Sequence, residues 1–395
     1  MKKTPKSSVW ILTIGAFFAF FVFGFSDNLK GTTLPAIIQD LHISYSVGGS
    51  ILLGAYLGFI AATTITGFLA DSIGHKAVLV IAGFCLGIGA AGYTFFSTPL
   101  FLSLSISILG FGLGSLELGC NALIVELRGG DKGKYLNLMA VLHGLGSTLA
   151  PLYAGWMLSA RYSWRSVYGW DLIPIIILII YFLFTTFPAS KSKPNEKIDF
   201  THIAKIAFTG EMIWYYIIIT LYVCIEIGLS SWMVEYLQSN RHFSISSSSQ
   251  ALAIYFGLIM LGRFIGSFIV ERLGYLQSTF YAMLGAITCV ALALFGPQYF
   301  AYFLPGCGLF LSIIFPTITA SVSDSHKNNM NSILGIFFTF AGLGGALGPW
   351  IIGFASDHGG LPVGFSLNLV FGILTAFSIL LLMIMKKKTP SLDSL

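Results

Sequence analysis

Long apolar stretches separated by short polar clusters dominate the chain, and their lengths predict membrane-spanning helices. A hydrocarbon core about 30 Å thick needs about 20 apolar residues per helix. Breaks at glycine, proline and polar clusters predict helices over 9–36, 47–70, 77–97, 99–127, 134–159, 166–187, 211–238, 247–270, 276–296, 298–321, 330–356 and 361–385. The predicted fold class is therefore an all-α membrane protein with twelve transmembrane helices.

The second half of this pattern repeats the first. The segment HGLGSTLAPLYAG (143–155) aligns with AGLGGALGPWIIG (341–353) at an offset of 198, and Asp27 falls on Glu226 at an offset of 199. GFLADSIG (67–74) aligns with GSFIVERLG (266–274), which pairs Asp71 with Glu271. Three regions that share one shift predict two pseudo-symmetric six-helix bundles. We expect an N-terminal bundle over 1–187, a cytoplasmic linker over 188–210 and a C-terminal bundle over 211–395.

The charged residues indicate how the helices are oriented. Only 9% of the residues are charged, against about 25% in soluble domains. With both termini in the cytoplasm, sixteen lysines and arginines fall on the inside and three on the outside. This bias predicts cytoplasmic termini. It also explains most of the net charge of +5, so we expect no nucleic-acid partner.

Other classes of protein find little support in the sequence. All five cysteines lie in apolar stretches without C-x-x-C spacing, which is typical of small buried side chains. We expect no metal site and no cofactor, and without a nucleophile–base set we expect no enzyme. No stretch is large and polar enough for the soluble domain of a receptor or scaffold. The first apolar run lacks a cleavage site, so we expect no signal peptide.

Polar side chains inside the apolar stretches are the candidate functional residues. A charge at mid-membrane costs about 2.5–3.5 kcal/mol and tends to persist where a cavity, partner or proton makes use of it. Four predicted helices carry such residues: Asp27, Asn28 and Lys30 in the first, Glu117 and Asn121 in the fourth, His143 in the fifth, and Glu226 and Ser230 in the seventh.

Glu117 is the strongest candidate for a proton site. It lies midway along its predicted helix, without a basic residue three or four positions away. Burial away from water favours the neutral carboxyl, and its charge would change when the surrounding cavity opens. Asn121 lies four residues on, and therefore on the same face, where its amide can serve a neutral polar substrate.

Structural roles remain open for the other candidates. Asp27 and Lys30 are close enough in sequence to form a buried pair that holds the first helix against its neighbours. Glu226 could satisfy a neighbouring helix by hydrogen bonding. His143 could be a core histidine with one ring nitrogen bonded to a carbonyl.

Several motifs resemble the major facilitator superfamily and, within it, the fucose–proton symporter family, which includes bacterial glucose and other hexose symporters. GFLADSIGHK (67–76) resembles the superfamily signature G-x-L-a-D-r-x-G-r-r, with Ser72 at a usual arginine. GLGSLELGCN (112–121) matches the family's G-L-G-x-L-E-T-x-x-N, LNLMAVLHGLGS (136–147) matches L-N-L-x-x-x-F-N/H-x-x-G, and YVCIE (222–226) looks like Y-x-G-I-E. NLKGTTLP (28–35) matches N-L-N-D-x-L-L-P, but places Gly31 where that family has an aspartate.

The resemblance implies a function and a set of site residues. It implies proton-coupled uptake of a neutral sugar, a hexose or deoxyhexose, by a monomer in a bacterial inner membrane, with sodium coupling as an open alternative. The residues expected to couple protons are Glu117, Asp27 and Glu226. Those expected to bind substrate are Asn28, Asn121, His143, Glu226, Ser230 and Trp232.

Further expectations concern the conformational change. The residues expected to act in gating are Asp71, Lys76, Arg263, Glu271 and Arg272. Gly146, Gly344 and Gly345 are expected where the two halves move against each other. The competing function is a proton-driven efflux antiporter for a drug or metabolite, since GSTLAPLYAG (146–155) partly matches the pattern G-x-x-x-G-P-x-x-G-G.

Overall fold

The computed structural model describes residues 6–187, 208, 210–325 and 330–388, which are almost entirely helical and include no β-strand. The first half contains α1 (Lys6–Asn28 and Lys30–Leu41), α2 and α3 (together Tyr45–Phe95), α4 (Pro99–Arg128), α5 (Lys132–Ser159) and α6 (Trp164–Phe184). The second half contains α7 (Gly210–Ser239), α8 (Ile245–Leu273), α9 (Tyr275–Phe295), α10 (298–325), α11 (Met330–Gly359) and α12 (Leu361–Lys388). The predicted all-α fold with twelve helices is confirmed. Nearly all of the predicted linker lies outside the described residues.

The lengths of the helices suit a membrane. Within the described residues, eleven stretches are long and apolar enough to cross it, and one of them, Pro99–Ser159, spans 61 residues. That stretch holds two helices, α4 and α5, because the chain turns at Gly129, where φ is +42°. The twelve helices therefore place both described ends of the chain on one side, which we call the inner end.

The backbone repeats at an offset of 200 residues, close to the predicted offsets of 198 and 199. Gly74, between α2 and α3, has φ +83°, and so does Gly274 between α8 and α9. A side chain at such a φ would be strained, so each glycine allows a sharp turn between two helices. Ser44 and Ser244 cap α2 and α8 in the same way, each accepting a hydrogen bond from the backbone N–H three residues on.

Two of the predicted contact glycines lie elsewhere than expected. A Cβ at Gly146 would lie 2.3 Å from the carbonyl oxygen of Phe21, and one at Gly344 would lie 2.3 Å from that of Thr220. Each glycine therefore packs one helix of a half onto another helix of the same half, α5 on α1 and α11 on α7. Gly345 does lie between the halves, against the ring of Tyr56. Small residues let helices approach closely in lipid, both within bundles and between them.

Helix α10 is less regular than the sequence indicates. The predicted single helix over 298–321 is a 3₁₀ segment (Gln298–Gly306), a short α-helix (Cys307–Leu311) and a longer one (Ile314–Ser325). Pro305 and Pro316 cause this, because a proline ring has no N–H to donate to the residue four positions earlier.

The two halves touch at the outer end, opposite the inner one. A Cβ at Gly31 of α1 would lie 2.1 Å from the carbonyl oxygen of Ser230 in α7, and one at Gly155 of α5 would lie 2.4 Å from Ser249 in α8. Toward the inner end, α4 packs on helices of its own half, and so does the last segment of α10. The space between the halves is therefore closed at the outer end.

Candidate substrate and proton site

Three candidate residues of the first half lie near one another. Asp27 of α1 interacts electrostatically with Glu117 of α4 and with His143 of α5. The ring of His143 also packs edge-on against Phe23, with centroids 4.6 Å apart. Glu117 therefore lies on the interior side of α4, toward α1, rather than facing lipid alone.

The second half contributes a matching group. Glu226 of α7 interacts with Arg263 of α8 and with the hydroxyl of Tyr222, and the hydroxyl of Tyr255 donates to its backbone oxygen over 3.1 Å. The charge of Arg263 also acts on His143, and Tyr56 of α2 interacts with both Asp27 and Glu226. The polar residues of both halves therefore form one group at the centre of the molecule.

Unused hydrogen-bonding capacity is found on three side chains of this group and on Asn121, which lies four residues after Glu117 on the same face of α4. Within the described part of the chain, none of them makes a side-chain hydrogen bond or an ion pair, and each is at least partly exposed. They are Glu117, Asn121, His143 and Arg263. Polar groups inside a membrane bundle need partners, so these four are available to a substrate or to water.

The remaining candidates of α1 are already bonded. Asp27 Oδ1 lies 2.5 Å from Lys30 Nζ, which also lies 5.2 Å from the ring centre of Tyr56. Asn28 donates from Nδ2 to the oxygen of Gly24 and to the hydroxyl of Ser147. The structure thus contains the buried Asp27–Lys30 pair. Glu117 has no ion pair with a basic residue within the described part of the chain.

Two candidates of α7 lie in the outer contact between the halves. The hydroxyl of Ser230 donates to the oxygen of Ile227, and its own carbonyl faces Gly31. Trp232 is fully buried, and its indole N–H donates to the oxygen of Pro349 over 2.9 Å. The polar atoms of both side chains are therefore used within the protein in this state.

Three of the five gating candidates lie at the inner end, whereas Arg263 belongs to the central group. Lys76 Nζ donates to the oxygens of Leu183 and Thr185 at the end of α6, where a cation suits the helix dipole. Glu271 and Arg272 are exposed at the end of α8. The side chain of Asp71 lies outside the described residues.

Two acids at the outer end were not among the predicted site residues. Asp357, near the end of α11, accepts hydrogen bonds from the backbone N–H groups of Tyr45 and Ser46 at the start of α2, over 2.8 and 2.9 Å. The hydroxyl of Tyr45 donates to Glu235 of α7 over 3.0 Å. These four residues, which we call the outer latch, join the two halves. Their pairing depends on the fold, and the spacing of either acid in sequence gives no sign of it.

Removing the charge of Asp357 should open the outer end more often. Asp357→Asn loses the favourable interaction of a carboxylate with two N–H groups at a helix start. A loss of about 1.4 kcal/mol shifts the equilibrium about tenfold toward the outward-open state. The reporter is Leu34→Cys, since Leu34 is 2% exposed and packs among side chains of the second half. Its labelling by an impermeant maleimide from outside should accelerate by about that factor, in a background without the five native cysteines.

A matched control separates this effect from a general effect of charge. Asp40→Asn removes another outer acid, whose partner Arg165 lies in the same half at 2.7 Å. In Asp40→Asn, the Leu34→Cys reporter should be labelled at the same rate as in the protein with an unchanged outer latch. Equal rates for Asp357→Asn and Asp40→Asn would rule out the latch.

Comparison with known proteins identifies the family to which the chain belongs. The model of the Major Facilitator Superfamily matches residues 16–349. The chain belongs to this superfamily. A putative glucose/galactose transporter of Helicobacter pylori (strain 26695) is 24% identical over 388 residues, covering 90% of this chain and 91% of that protein. The L-fucose-proton symporter of Escherichia coli K12 is 21% identical over 382 residues and 86% of each chain.

A solved structure agrees with the fold of this facilitator. A bacterial homologue of the human lysosomal transporter Spinster, in an inward-facing and unoccupied conformation, superposes with a TM-score of 0.81 at 15% identity, covering 98% of this chain and 100% of that one. Membership of a transporter family confirms that this facilitator is a multi-pass membrane transporter and not an enzyme. The predicted resemblance to the fucose–proton symporter family is also confirmed.

Proposed function

We propose that this facilitator takes up a neutral sugar together with a proton. The observation that carries the proposal is the group that Glu117, His143 and Glu226 form between the halves. Asn121 lies four residues after Glu117, on the same face of α4. An amide, an imidazole and carboxyls offer the donors and acceptors that several sugar hydroxyls require. The relatives named for glucose, galactose and fucose transport support a sugar as the substrate.

Glu117 is the proposed proton carrier. Asp27 interacts electrostatically with Glu117, but its own charge is already balanced by Lys30. A proton that binds to Glu117 therefore changes the net charge of the site. Neutralising Glu117 lowers the cost of closing the site around the sugar. We assign Asp27 and Glu226 supporting roles in this coupling, and Asn28, Ser230 and Trp232 supporting roles in binding.

The proposed cycle alternates between a state that is closed at the outer end and a state that is closed at the inner end. With the outer latch open, Glu117 takes up a proton and sugar binds between the halves. Latch formation and the contact of Gly31 with Ser230 then close the outside, which is the state described above. Sugar and proton leave toward the inner end. Arg263, Glu271, Arg272, Asp71 and Lys76 are proposed to close that end in the other state.

The proposed setting is the inner membrane of a bacterium, with both termini in the cytoplasm and the protein as a monomer. Sixteen basic residues at the inner end against three at the outer end support this orientation. Each half contributes to one site in a single chain, so the site needs no second copy.

Movement of protons on addition of sugar tests the function. In de-energised cells that express the protein, a transported sugar from a panel of hexoses and deoxyhexoses should make the weakly buffered medium more alkaline, because each sugar carries a proton inward. Cells with empty vector should show no change. A medium that turns acidic would instead indicate antiport, and no response to any sugar would refute the proposal.

A further inference from the structure

Two phenylalanines of the second half are exposed on helix faces that point toward the first half. Phe338 of α11 is 43% exposed and Phe264 of α8 is 71% exposed. No step of the proposed transport cycle uses them. Exposed apolar groups that face protein rather than lipid mark contact surfaces, so both rings indicate a surface that another part of the chain covers.

Contacts of α11 with α2 define the face on which Phe338 lies. Gly345 packs against the ring of Tyr56, and a Cβ at Gly342 would lie 2.7 Å from Ile60. Positions 345, 342 and 338 have the spacing of one helix face. Phe338 is therefore the next residue toward the inner end on the face that packs against α2.

The lipid-facing side of α11 is a different one. Its large exposed side chains recur at helical spacing; they are Leu343, Leu347 and Phe354. Five residues separate Leu343 from Phe338, and at 3.6 residues per turn this places the two on nearly opposite sides of the helix. The exposure of Phe338 is therefore exposure to the space between the halves.

Helix α8 repeats this arrangement against α5. A Cβ at Gly257 would lie 3.8 Å from Thr148, and one at Gly144 would lie 3.1 Å from Met260. Positions 257, 260 and 264 have the same spacing as 345, 342 and 338. Phe264 is therefore the next residue toward the inner end on the face that packs against α5.

The register of these contacts identifies the residue of the first half that lies opposite each ring. In both pairs the two helices run antiparallel, so one turn toward the inner end on one helix meets one turn toward the inner end on the other. One turn beyond the last contact described on α2 is Thr63, opposite Phe338. One turn beyond the last contact described on α5 is Val141, opposite Phe264. Thr63 is half-buried and Val141 is 48% exposed.

We propose that the inner end is sealed by two aromatic contacts, in which Phe338 packs against Thr63 and Phe264 packs against Val141. The proposal rests on the alternation between open and closed ends in the proposed function. With the outer end closed, as described above, both rings are exposed. Closing the inner end covers them, and burial of apolar surface stabilises that state. The inner closure is thus apolar, whereas the outer latch consists of hydrogen bonds.

Cross-linking in a protein held open to the outside tests the contact of α2 with α11. The pair Thr63→Cys/Phe338→Cys is introduced together with Gly31→Leu into full-length protein without the five native cysteines. Mild oxidation should join the two residues, because the closed inner end brings their Cα atoms within reach of a disulfide. The matched control is Thr63→Cys/Thr339→Cys. Thr339 is exposed but lies about 100° further round the helix, so its disulfide should form at least about tenfold more slowly.

Removal of each ring tests its effect on the balance between the two states. Phe338→Ala and Phe264→Ala should each shift the equilibrium by about tenfold toward the state with the inner end open, because the lost contact exists only when that end is closed. Labelling of the Leu34→Cys reporter from outside should slow accordingly. The melting temperature should stay close to that of the wild type. Phe377→Ala removes a ring of α12 that is 55% exposed among lipid-facing side chains, and should leave labelling unchanged.

Two results would overturn the proposal. One is equal cross-linking of the pairs that contain residue 338 and residue 339. The other is labelling of the reporter in both alanine variants that is unchanged or faster. The alanine variants do not contain Gly31→Leu, so they decide independently of that substitution. Neither measurement uses sugar or a pH difference, so a failure here is distinct from a failure of sugar–proton uptake.

Discussion

Glu117→Gln should bind and exchange sugar but lose the ability to concentrate it. Glutamine keeps the size and the carbonyl oxygen of the glutamate, yet it cannot take up or release a proton. With one proton per sugar, a difference of one pH unit provides about 1.36 kcal/mol, which supports about tenfold accumulation. In proteoliposomes with that pH difference, the wild type should reach about this ratio of internal to external sugar, and the variant should stop near equality.

Counterflow without a pH difference provides the second measurement for this variant. Exchange of labelled for unlabelled sugar should continue, because the remaining polar groups of the site are unchanged. Asp131→Asn is the control, since this acid is exposed in the turn after α4, and it should accumulate sugar as the wild type does. Accumulation by Glu117→Gln at the wild-type ratio would assign the proton to another residue. If a sodium gradient alone drove accumulation of the sugar, the coupling ion would be sodium and not the proton.

The fold could be predicted from the sequence because membrane helices leave a strong signal. A helix that crosses lipid must be predominantly apolar over about 20 residues. The glycines and acids that recur in both halves show how the halves align. The repeat even extends to the backbone, since Gly74 and Gly274 share φ +83°. The proline-broken α10 was harder to predict, because a proline in a helix can bend it, break it or be accommodated.

The central site could be predicted in part. Glu117, His143 and Glu226 stand out as ionisable residues in apolar helices, and the structure brings them into one group. Asp171 carries the same signal but is absent from the predicted set. Glu235 also carries it, within the predicted helix 211–238. Nothing in the sequence indicates that Glu235 and Asp357 contact Tyr45, because Tyr45 lies in the other half of the chain.

Gly31 gives a structural reason for the departure from the family motif. The resemblance places an aspartate of the fucose–proton symporter family at this position. In this chain a Cβ there would lie 2.1 Å from the carbonyl oxygen of Ser230, so the outer contact leaves no room for any side chain at residue 31. The acid of α1 lies one turn earlier, at Asp27, where it pairs with Lys30.

Gly31→Leu should therefore hold the transporter open to the outside. The new side chain disfavours the closed outer contact by about 2 kcal/mol or more, a shift of about thirtyfold. It leaves the packing within each half unchanged, because Ser230 belongs to the other half. Labelling of the Leu34→Cys reporter from outside should become fast and complete. Sugar uptake should fall by a similar factor, while the melting temperature of the purified protein stays close to that of the wild type.

Another glycine between the halves provides the matched control. A Cβ at Gly257 of α8 would meet Thr148 of α5 at 3.8 Å, an ordinary contact. Gly257→Ala should accordingly transport sugar and label as the wild type does. Gly31→Ala is the variant of equal size, because its Cβ alone would lie 2.1 Å from the carbonyl oxygen of Ser230. It differs from Gly257→Ala in the room available at the contact between the halves, so a difference between these two variants isolates closure of the outer end. If Gly31→Leu still transports sugar at the wild-type rate, the contact of Gly31 with Ser230 is not required for the cycle.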